Sequence, residues 1–343
     1  MSMLEFFLQS AEPDQIAVSG PLAIRPVVVD ANALASDVYY AAAHGGHSSL
    51  LLAAGLGTIR LFTPPHIYGK VYAELDNPNY EPWAELRNEA RRIWESEYLR
   101  KLRFVNVTEY QTADPRVLAI ASKDEEDGPV AKLAALLGPC ILLSEDKHMR
   151  GLGAAGADWR PLAVASRDAM MPTQAVVAGV IPATAVGSGV SWGVGLLRAQ
   201  PALRLPAALG GLALLGAVGW RLSKVKNWRE RGEAFGNFIA EAAEKLQPVV
   251  DRYREANARL RAGTVVPESS SDPINRVAWT LATSPRPLLM SELSRILAVR
   301  EDAVQLSPRH VGQVLRGTSC FRTYSDGRWK VGFFAGPRAV QEG

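Results

Sequence analysis

The hydrophobic positions divide the chain into three parts that differ in pattern. In the first part, two short apolar runs predict buried strands, one leading to Asp30 and the other to Asp146. A helix is predicted around Glu74, and an apolar helix is predicted to open at Asp127 and to close at Gly138. Strands and helices in this order are the components of an α/β sheet.

The middle part carries two stretches without any charged residue, Ala169 to Leu197 and Leu205 to Trp220. A membrane-spanning helix needs about 20 apolar residues, so these stretches predict a two-helix transmembrane hairpin over 169–222. Basic residues are more frequent after the second stretch than in the connecting loop, which predicts that both flanking domains face the cytoplasm from the inner membrane. Because Pro182 and many small residues interrupt the first stretch, a buried hairpin in a soluble cytoplasmic protein is the alternative.

A long helix is predicted next, over residues 223–262. Its apolar positions recur in steps of four and three, which is typical of a coiled-coil seam. The seam positions are Phe235, Ile239, Ala242, Leu246, Val249, Tyr253, Ala256 and Leu260. The pattern predicts either a homodimer through the 235–260 helix or an amphipathic helix that packs on its own domain. A linker rich in Pro and Ser follows over 263–271.

The last part, residues 272–336, contains three short amphipathic segments and a hairpin. One helix is predicted over 274–282, a second begins with the cap Ser291 and a third begins with the cap Ser307. Asp326-Gly327 predicts the turn of the hairpin. Three helices followed by a hairpin resemble a winged helix-turn-helix domain, which implies binding to nucleic acid or docking to another protein.

The candidate contacts to nucleic acid are the basic and polar side chains of the third helix and the hairpin. Such side chains, clustered on one helix and one hairpin, are typical of contacts to phosphates and bases. They are Arg309, His310, Gln313 and Arg316 on the helix, and Arg322, Arg328 and Lys330 in the hairpin.

Composition narrows the class of protein. At 343 residues, 48% of them hydrophobic, the chain is long enough for two or more domains with ordinary cores. The net charge of +3 creates no overall field that would argue for nucleic acid. Cys140 and Cys320 lie far apart without metal-ligand spacing, which predicts a reduced, cytosol-facing protein, and the N-terminal extension 1–24 shows no signal peptide.

Four acidic residues occupy positions from which the predicted elements would bring them together: Asp30, Glu74, Asp127 and Asp146. Residues just past the carboxyl ends of parallel strands face the ligand crevice of an α/β sheet. Carboxylates gathered there repel one another unless a hard divalent cation neutralises them. The cluster therefore predicts a metal site and phosphate chemistry. His148, beside Asp146, is either a contact to substrate or an ordinary loop residue.

The order of these residues resembles a PIN-domain nuclease over residues 25–160. The segments that carry the resemblance are Val27-Val-Val-Asp-Ala-Asn32, Glu74, Asp127 through Ala134, and Leu143-Ser-Glu-Asp146. The resemblance implies a compact α/β/α fold on a parallel sheet that holds Mg²⁺ or Mn²⁺ and hydrolyses phosphodiesters, most often in RNA. It assigns Asp30, Asp127 and Asp146 to one or two metal ions, Glu74 to the metal cluster or the attacking water, and Asn32 and Ser144 to neighbouring polar positions. Asp124, one turn before Asp127, is the alternative third acid.

The sequence therefore predicts a membrane-tethered endoribonuclease that depends on Mg²⁺ or Mn²⁺, with RNA as its substrate and DNA as the other nucleic acid to test. Two further hypotheses belong to other classes of protein. One is a regulator or scaffold whose PIN domain is not catalytic, and the other is a membrane-anchored, DNA-binding regulator that works through its winged helix. The presence of all four acids argues against a degenerate site.

Overall fold

The computed structural model describes residues 24–77, 81–152, 159–168, 251–252, 255–268, 272–299 and 306–334. The chain forms two compact units, one made of Met1–Val164 with Leu260–Gly343 and the other of Ala165–Arg259. Residues 1–23, the predicted hairpin over 169–222 and most of the predicted long helix lie outside the described residues. Of the predicted seam, Ala256 and Leu260 are described, and both are buried.

The first unit is built on a mixed sheet of six strands. They are β1 (Arg25–Val29), β2 (Ile59–Thr63), β3 (Leu102–Phe104), β4 (Cys140–Leu143), β5 (Thr264–Val265) and, near the C-terminus, β9 (Phe333–Phe334). Their order across the sheet is β5-β4-β1-β2-β3-β9. The four central strands run parallel, and the two outer strands pair antiparallel to them. The predicted α/β class with a parallel sheet is thus present, extended by two antiparallel edges.

Helices connect these strands and cover the sheet. They are α1 (Ala31–Ala43), α2 (Ser49–Leu56), α3 (Ile67–Asp76), α4 (Arg87–Ile93), α5 (Leu99–Lys101), α6 (Pro115–Lys123), α7 (Gly128–Leu137) and α8 (Arg160–Asp168). β1 and β4 are almost entirely buried, because parallel strands covered on both faces are apolar at every position. The apolar runs on which the sequence prediction rested are these two neighbouring strands.

The transmembrane part of the predicted fold is wrong. Within the part of the chain that the structure describes, no helix is both long enough and apolar enough to cross a membrane. The two-helix hairpin itself falls on residues 169–222, outside the described residues. The prediction rested on the length of the charge-free runs, and such runs also suit apolar helices that never span a bilayer.

The C-terminal segment contains the predicted helices and hairpin. They are α9 (Pro273–Thr283), β6 (Leu288–Leu289), α10 (Met290–Val299), α11 (Pro308–Gly317), β7 (Phe321–Thr323) and β8 (Arg328–Val331). The side chain of Ser307 caps α11 by accepting a hydrogen bond from the backbone N–H of His310. Ser291 lies inside α10 and does not cap it. Strands β6, β8 and β7 form a separate three-stranded antiparallel sheet.

This C-terminal segment packs directly on the six-stranded sheet. β9 pairs with β3, so that Phe334 lies opposite Arg103, and β5 pairs with β4. α9 packs on α7, where the buried Asn275 donates to the carbonyl of Ala135 at 2.6 Å and accepts from the hydroxyl of Tyr110 at 3.1 Å. Residues far apart in the sequence therefore share one core and both edges of one sheet.

A buried carboxyl on α1 makes the stability of this unit depend on pH. Asp37 accepts hydrogen bonds from the hydroxyls of Ser48 and Tyr98, and burial raises the pKa of Asp37 to about 6. The folded chain therefore binds a proton that the unfolded chain releases near pH 4, and the associated stability is lost as the pH rises through about 6.

Replacing Asp37 by Asn should remove this dependence, because the amide does not titrate. From about pH 4 to about pH 7, the free energy of unfolding of the variant should rise relative to that of the parent by up to about 3 kcal/mol. Thermal or urea unfolding across this pH range measures the difference. Parallel stability curves for the two proteins would show that Asp37 is already ionised in the folded state.

Candidate metal centre

The candidate site lies where the direction of strand addition reverses. β1, β2 and β3 follow one another across the sheet, whereas β4 lies on the other side of β1. Ligands of open α/β sheets bind outside the carboxyl ends of the strands at such a switch point. Asp30 directly follows β1, and Ser144 directly follows β4, so the fold brings both residues to this crevice.

Asp30 is fixed by two hydrogen bonds in a buried position. Its Oδ1 accepts from the backbone N–H of Ala31 at 2.6 Å, which caps α1, and its Oδ2 accepts from the hydroxyl of Ser144 at 2.8 Å. The side chain is 4% exposed. Burial raises the pKa of Asp30, while these hydrogen bonds and the charge of Lys70 counteract the rise. The carboxylate is held in one orientation toward the crevice.

The segment after β4 positions a second carboxylate and an imidazole. The hydroxyl of Ser144 accepts from the backbone N–H of Asp146 at 3.1 Å, so this one hydroxyl contacts both Asp30 and the turn. Oδ1 of Asp146 accepts from the backbone N–H of His148 at 2.7 Å and lies 3.5 Å from Nδ1 of its ring. Asp146 therefore fixes the backbone at His148 and lies beside its imidazole.

Asp127 brings a third carboxylate to the same place. It precedes α7, and its side chain forms no capping hydrogen bond. Its Oδ2 lies 3.9 Å from Nδ1 of His148. Both atoms are buried, and neither has a hydrogen-bond partner among the described residues. Because buried polar atoms are rarely left unpaired, two such atoms facing each other fit a bound cation.

The charges of neighbouring carboxylates act on Asp127. The pKa of Asp127 is raised to about 6, first by burial and then by the negative charges of Asp146, Asp30 and Asp124. Asp146 also raises the pKa of Asp30. Mutual repulsion of this kind disappears when a divalent cation binds between the carboxylates. Three of the four predicted acids, Asp30, Asp127 and Asp146, are thus brought together.

Asp124 lies beside Asp127 but is already engaged. Its Oδ1 accepts hydrogen bonds from the backbone N–H groups of Glu126 and Asp127, at 2.9 Å and 3.2 Å. Ligand atoms of Asp124, Asp127 and His148 all lie within 4.8 Å of one another, so Asp124 is close enough to contribute. The unpaired oxygen nevertheless belongs to Asp127, which favours Asp127 as the direct ligand and Asp124 as the residue that shapes the turn.

Lys70, rather than Glu74, is the residue of α3 whose charge acts on the cluster. It lowers the pKa of both Asp30 and Asp127, and its Nζ lies 2.6 Å from Oε2 of Glu126. α3 begins near the carboxyl end of β2, and each helical turn moves about 5.4 Å farther from it. Glu74, one turn later, instead acts on the hydroxyl of Tyr39. The catalytic role of Glu74 stays a prediction.

The remaining predicted residues lie at the surface. Asn32 is exposed in the first turn of α1. The four candidate contacts on α11 are exposed as well: Arg309, His310, Gln313 and Arg316. In the hairpin, Arg328 pairs with Asp326 at 3.2 Å and Lys330 donates to the hydroxyl of Tyr324 at 3.0 Å. Arg322 is exposed, and its guanidinium carbon lies 5.8 Å from the ring centroid of Phe333.

Lys70 was not predicted as a site residue, and only the helical period offered a signal for it. Residues four apart share one face of a helix, so Lys70 and Glu74 were equivalent candidates by face. The distance of each side chain from the carboxyl end of β2 depends on where the helix begins, and the sequence did not define that residue. His148 was named, and its proximity to Asp146 was the only signal for it.

The imidazole of His148 leads to a prediction about the choice of metal at this centre. An imidazole suits Mn²⁺ and the later transition metals better than Mg²⁺, whereas carboxylates suit both Mg²⁺ and Mn²⁺. Replacing His148 by Ala should therefore weaken binding of Mn²⁺ by about tenfold or more and leave binding of Mg²⁺ little changed. Calorimetric titration with each ion measures this, and His47→Ala is the matched control because His47 is exposed between α1 and α2. Equal losses for both ions would remove His148 from the ligand set.

The chain matches no protein-family model, no curated protein and no solved structure in the comparisons made.

Proposed function

We propose that this protein is a metal-dependent phosphodiesterase, acting as an endoribonuclease with Mg²⁺ or Mn²⁺. One observation carries the proposal. The pKa of Asp127 is raised by burial and then by the charges of Asp146 and Asp30, and two buried atoms without a hydrogen-bond partner, Oδ2 of Asp127 and Nδ1 of His148, lie 3.9 Å apart. The resemblance of Asp30, Asp127 and Asp146 to the PIN-domain pattern supports the same chemistry.

Each residue of the centre has a distinct part in this proposal. Asp30, Asp127 and Asp146 hold the cation through their carboxylates, together with the ring nitrogen of His148. Ser144 orients Asp30 and the turn that carries Asp146. A divalent cation bound there would lower the pKa of an attacking water and stabilise the negative charge that develops on the phosphate. Glu74 is assigned to water positioning by the resemblance alone.

Lys70 fits a contact to the substrate. Its ammonium is partly exposed and is paired with Glu126, whose side chain is 70% exposed. A surface ion pair of this kind contributes little stability, so an incoming phosphate can replace the carboxylate of Glu126. Lysine is a common ligand of phosphate, and here it would bind the substrate beside the acidic cluster.

Nucleic acid is proposed as the substrate because α11 and the hairpin expose basic and polar side chains within the same compact unit as the acidic centre, and the PIN-domain resemblance favours RNA. Such side chains suit contacts to the backbone and the bases of nucleic acid. A homodimer through the predicted 235–260 helix is also proposed, on the heptad pattern of its seam positions. Most of these positions lie outside the described residues.

Lys70 also favours a second candidate function. A lysine among carboxylates neutralises part of the charge that would otherwise attract a cation. The protein could then be a regulator or scaffold that binds nucleic acid through α11 without cleaving it. The two functions differ in whether the centre binds a divalent cation and turns over substrate.

Cleavage by the purified full chain separates these functions. Labelled single-stranded RNA, single-stranded DNA and double-stranded DNA are incubated with Mg²⁺, with Mn²⁺ or with EDTA. The enzyme hypothesis expects internal cleavage of RNA with either cation and none with EDTA. Equal cleavage in EDTA would exclude the metal mechanism, and binding without cleavage under all conditions would favour the regulator.

A further inference from the structure

A basic pocket lies at the amino ends of the strands, whereas the acidic centre lies at their carboxyl ends. The pocket has a volume of about 210 Å³ and is situated beside Ile24 and Ile59, at the amino ends of β1 and β2. Four basic residues line it: Arg60, Arg100, Lys101 and Arg103. None of its lining residues is acidic. A concave site with one sign of charge concentrates ions of the opposite sign.

Two of these cations are fixed by partners within the protein. Nη1 of Arg60 donates to the carbonyls of Ala282 and Ser284, at 2.7 Å and 2.8 Å, at the C-terminal end of α9. Lys101 pairs with Glu97 of its own helical segment at 2.8 Å. The partners of Arg60 are neutral carbonyl groups, so they do not offset its positive charge.

The other two cations, Arg100 and Arg103, have no hydrogen bond or ion pair among the described residues. Arg103 is held instead by aromatic rings, since its guanidinium carbon lies 6.0 Å from the ring centroid of Phe62 and 5.2 Å from that of Phe334. Burial lowers the pKa of Arg103 to about 10, and burial together with the charge of Arg103 lowers the pKa of Arg60 to about 9. Two partly buried cations thus repel each other without a counterion, which an anion in the pocket would relieve.

An exposed aromatic ring adjoins these cations. Phe334 of β9 is 40% exposed, lies opposite Arg103 in the sheet and lines the pocket. Nζ of Lys330 lies 5.1 Å from its ring centroid and 4.3 Å from that of Tyr324. Cations that track a phosphate, combined with aromatic rings on which a base can stack, are the features of sites that bind single-stranded nucleic acid.

We propose that this pocket binds the phosphate group of a nucleotide, with the base packed against Phe334. Pockets that enclose a whole small molecule usually have volumes of about 300–1,000 Å³, so a pocket of about 210 Å³ suits the phosphate while the base lies outside. The nucleotide is either free or one unit of an RNA strand. The proposal does not depend on the proposed cleavage, because the pocket shares no residue with the acidic centre.

The test uses the full chain with Asp30→Asn, in EDTA, so that binding is measured where no metal-dependent cleavage occurs. Anisotropy of a fluorescent single-stranded RNA and competition by 5′-AMP or adenosine report binding. Arg100→Glu should weaken binding of the phosphate-bearing ligand by about tenfold or more, because it places a negative charge where the phosphate binds. Arg261→Glu is the matched control, since Arg261 is exposed and precedes β5 at the other edge of the sheet.

The competitors distinguish the two sources of phosphate. Competition by 5′-AMP but not by adenosine, lost with Arg100→Glu, identifies a free or terminal nucleotide. RNA binding that 5′-AMP does not displace, but that Arg100→Glu weakens, identifies the backbone of a strand. Arg103→Gln should weaken binding of the same ligand that Arg100→Glu affects. A thermal melt of Arg103→Gln checks that this variant is folded.

The proposal is overturned if Arg100→Glu and Arg261→Glu bind the RNA equally well and 5′-AMP competes equally well with both variants. Failure of the proposed cleavage would leave this binding result untouched, and loss of this binding would leave metal-dependent cleavage by the parent chain untouched. The two proposals are therefore tested separately.

Discussion

Replacing Asp30 by Asn is expected to reduce metal-dependent cleavage by more than about a hundredfold while leaving the fold intact. The amide can still accept the hydrogen bond from the N–H of Ala31 and fills the same buried space, but it carries no charge for the cation. Residues that only support a metal ligand typically cost about 10–100-fold when replaced, so the loss of a ligand should exceed that range. Cleavage of labelled RNA in Mg²⁺ or Mn²⁺ measures the effect.

Thermal unfolding in EDTA gives this variant a readout besides activity. Because burial and Asp146 raise the pKa of Asp30, removing its charge should leave the melting temperature unchanged or raise it. Asp76→Asn is the matched control, since Asp76 is exposed on α3, where it pairs with Arg91 at 2.9 Å, and its replacement should not affect cleavage. Full activity of Asp30→Asn would exclude Asp30 from the metal site.

Replacing Asn275 by Leu is expected to destabilise the whole compact unit by about 2–6 kcal/mol. Asn275 is fully buried between α9 and α7, where its side chain bonds to the hydroxyl of Tyr110 and the carbonyl of Ala135. Leucine would leave both groups buried without these partners, and each such loss costs about 1–3 kcal/mol. Thermal or urea unfolding measures the loss.

Tyr110→Phe tests one of these two hydrogen bonds alone. It removes only the hydroxyl that donates to Asn275, so it should cost about half as much as Asn275→Leu. The unfolding midpoint should fall in both variants, because the C-terminal helices and the sheet share one core. An unchanged midpoint in Asn275→Leu would show that these hydrogen bonds do not hold α9 to the sheet.

The sequence contained most of the information about the centre of the sheet. Continuous apolar runs such as Val27 to Val29 and Ile141 to Leu143 are typical of strands covered on both faces, and parallel strands of this kind bring the residues that follow them to one edge. This is why Asp30 and Asp146 could be placed before the structure was known. Asp127 was placed by the helix that it precedes.

The features that the sequence did not predict depend on tertiary contacts. β5 and β9 are two residues long and have no periodic pattern, and their pairing partners lie far away in the chain. The effect of Lys70 on the cluster depends on the starting point of α3, because one helical turn changes which side chain lies nearest to the end of β2. The basic pocket combines Arg60, Arg103 and Phe334, which only the folded chain brings together.

The two edge strands are synthesised after the four parallel strands, so the sheet can be completed only late in translation. The four parallel strands have all been made once Leu143 leaves the ribosome, whereas Val265 and Phe334, which pair with β4 and β3, are added much later. Until then, both edges of the young sheet carry unpaired backbone groups, which are templates for pairing with other chains. We therefore expect the nascent N-terminal half to be more prone to aggregate than the finished chain, in which β5 and β9 pair with both edges.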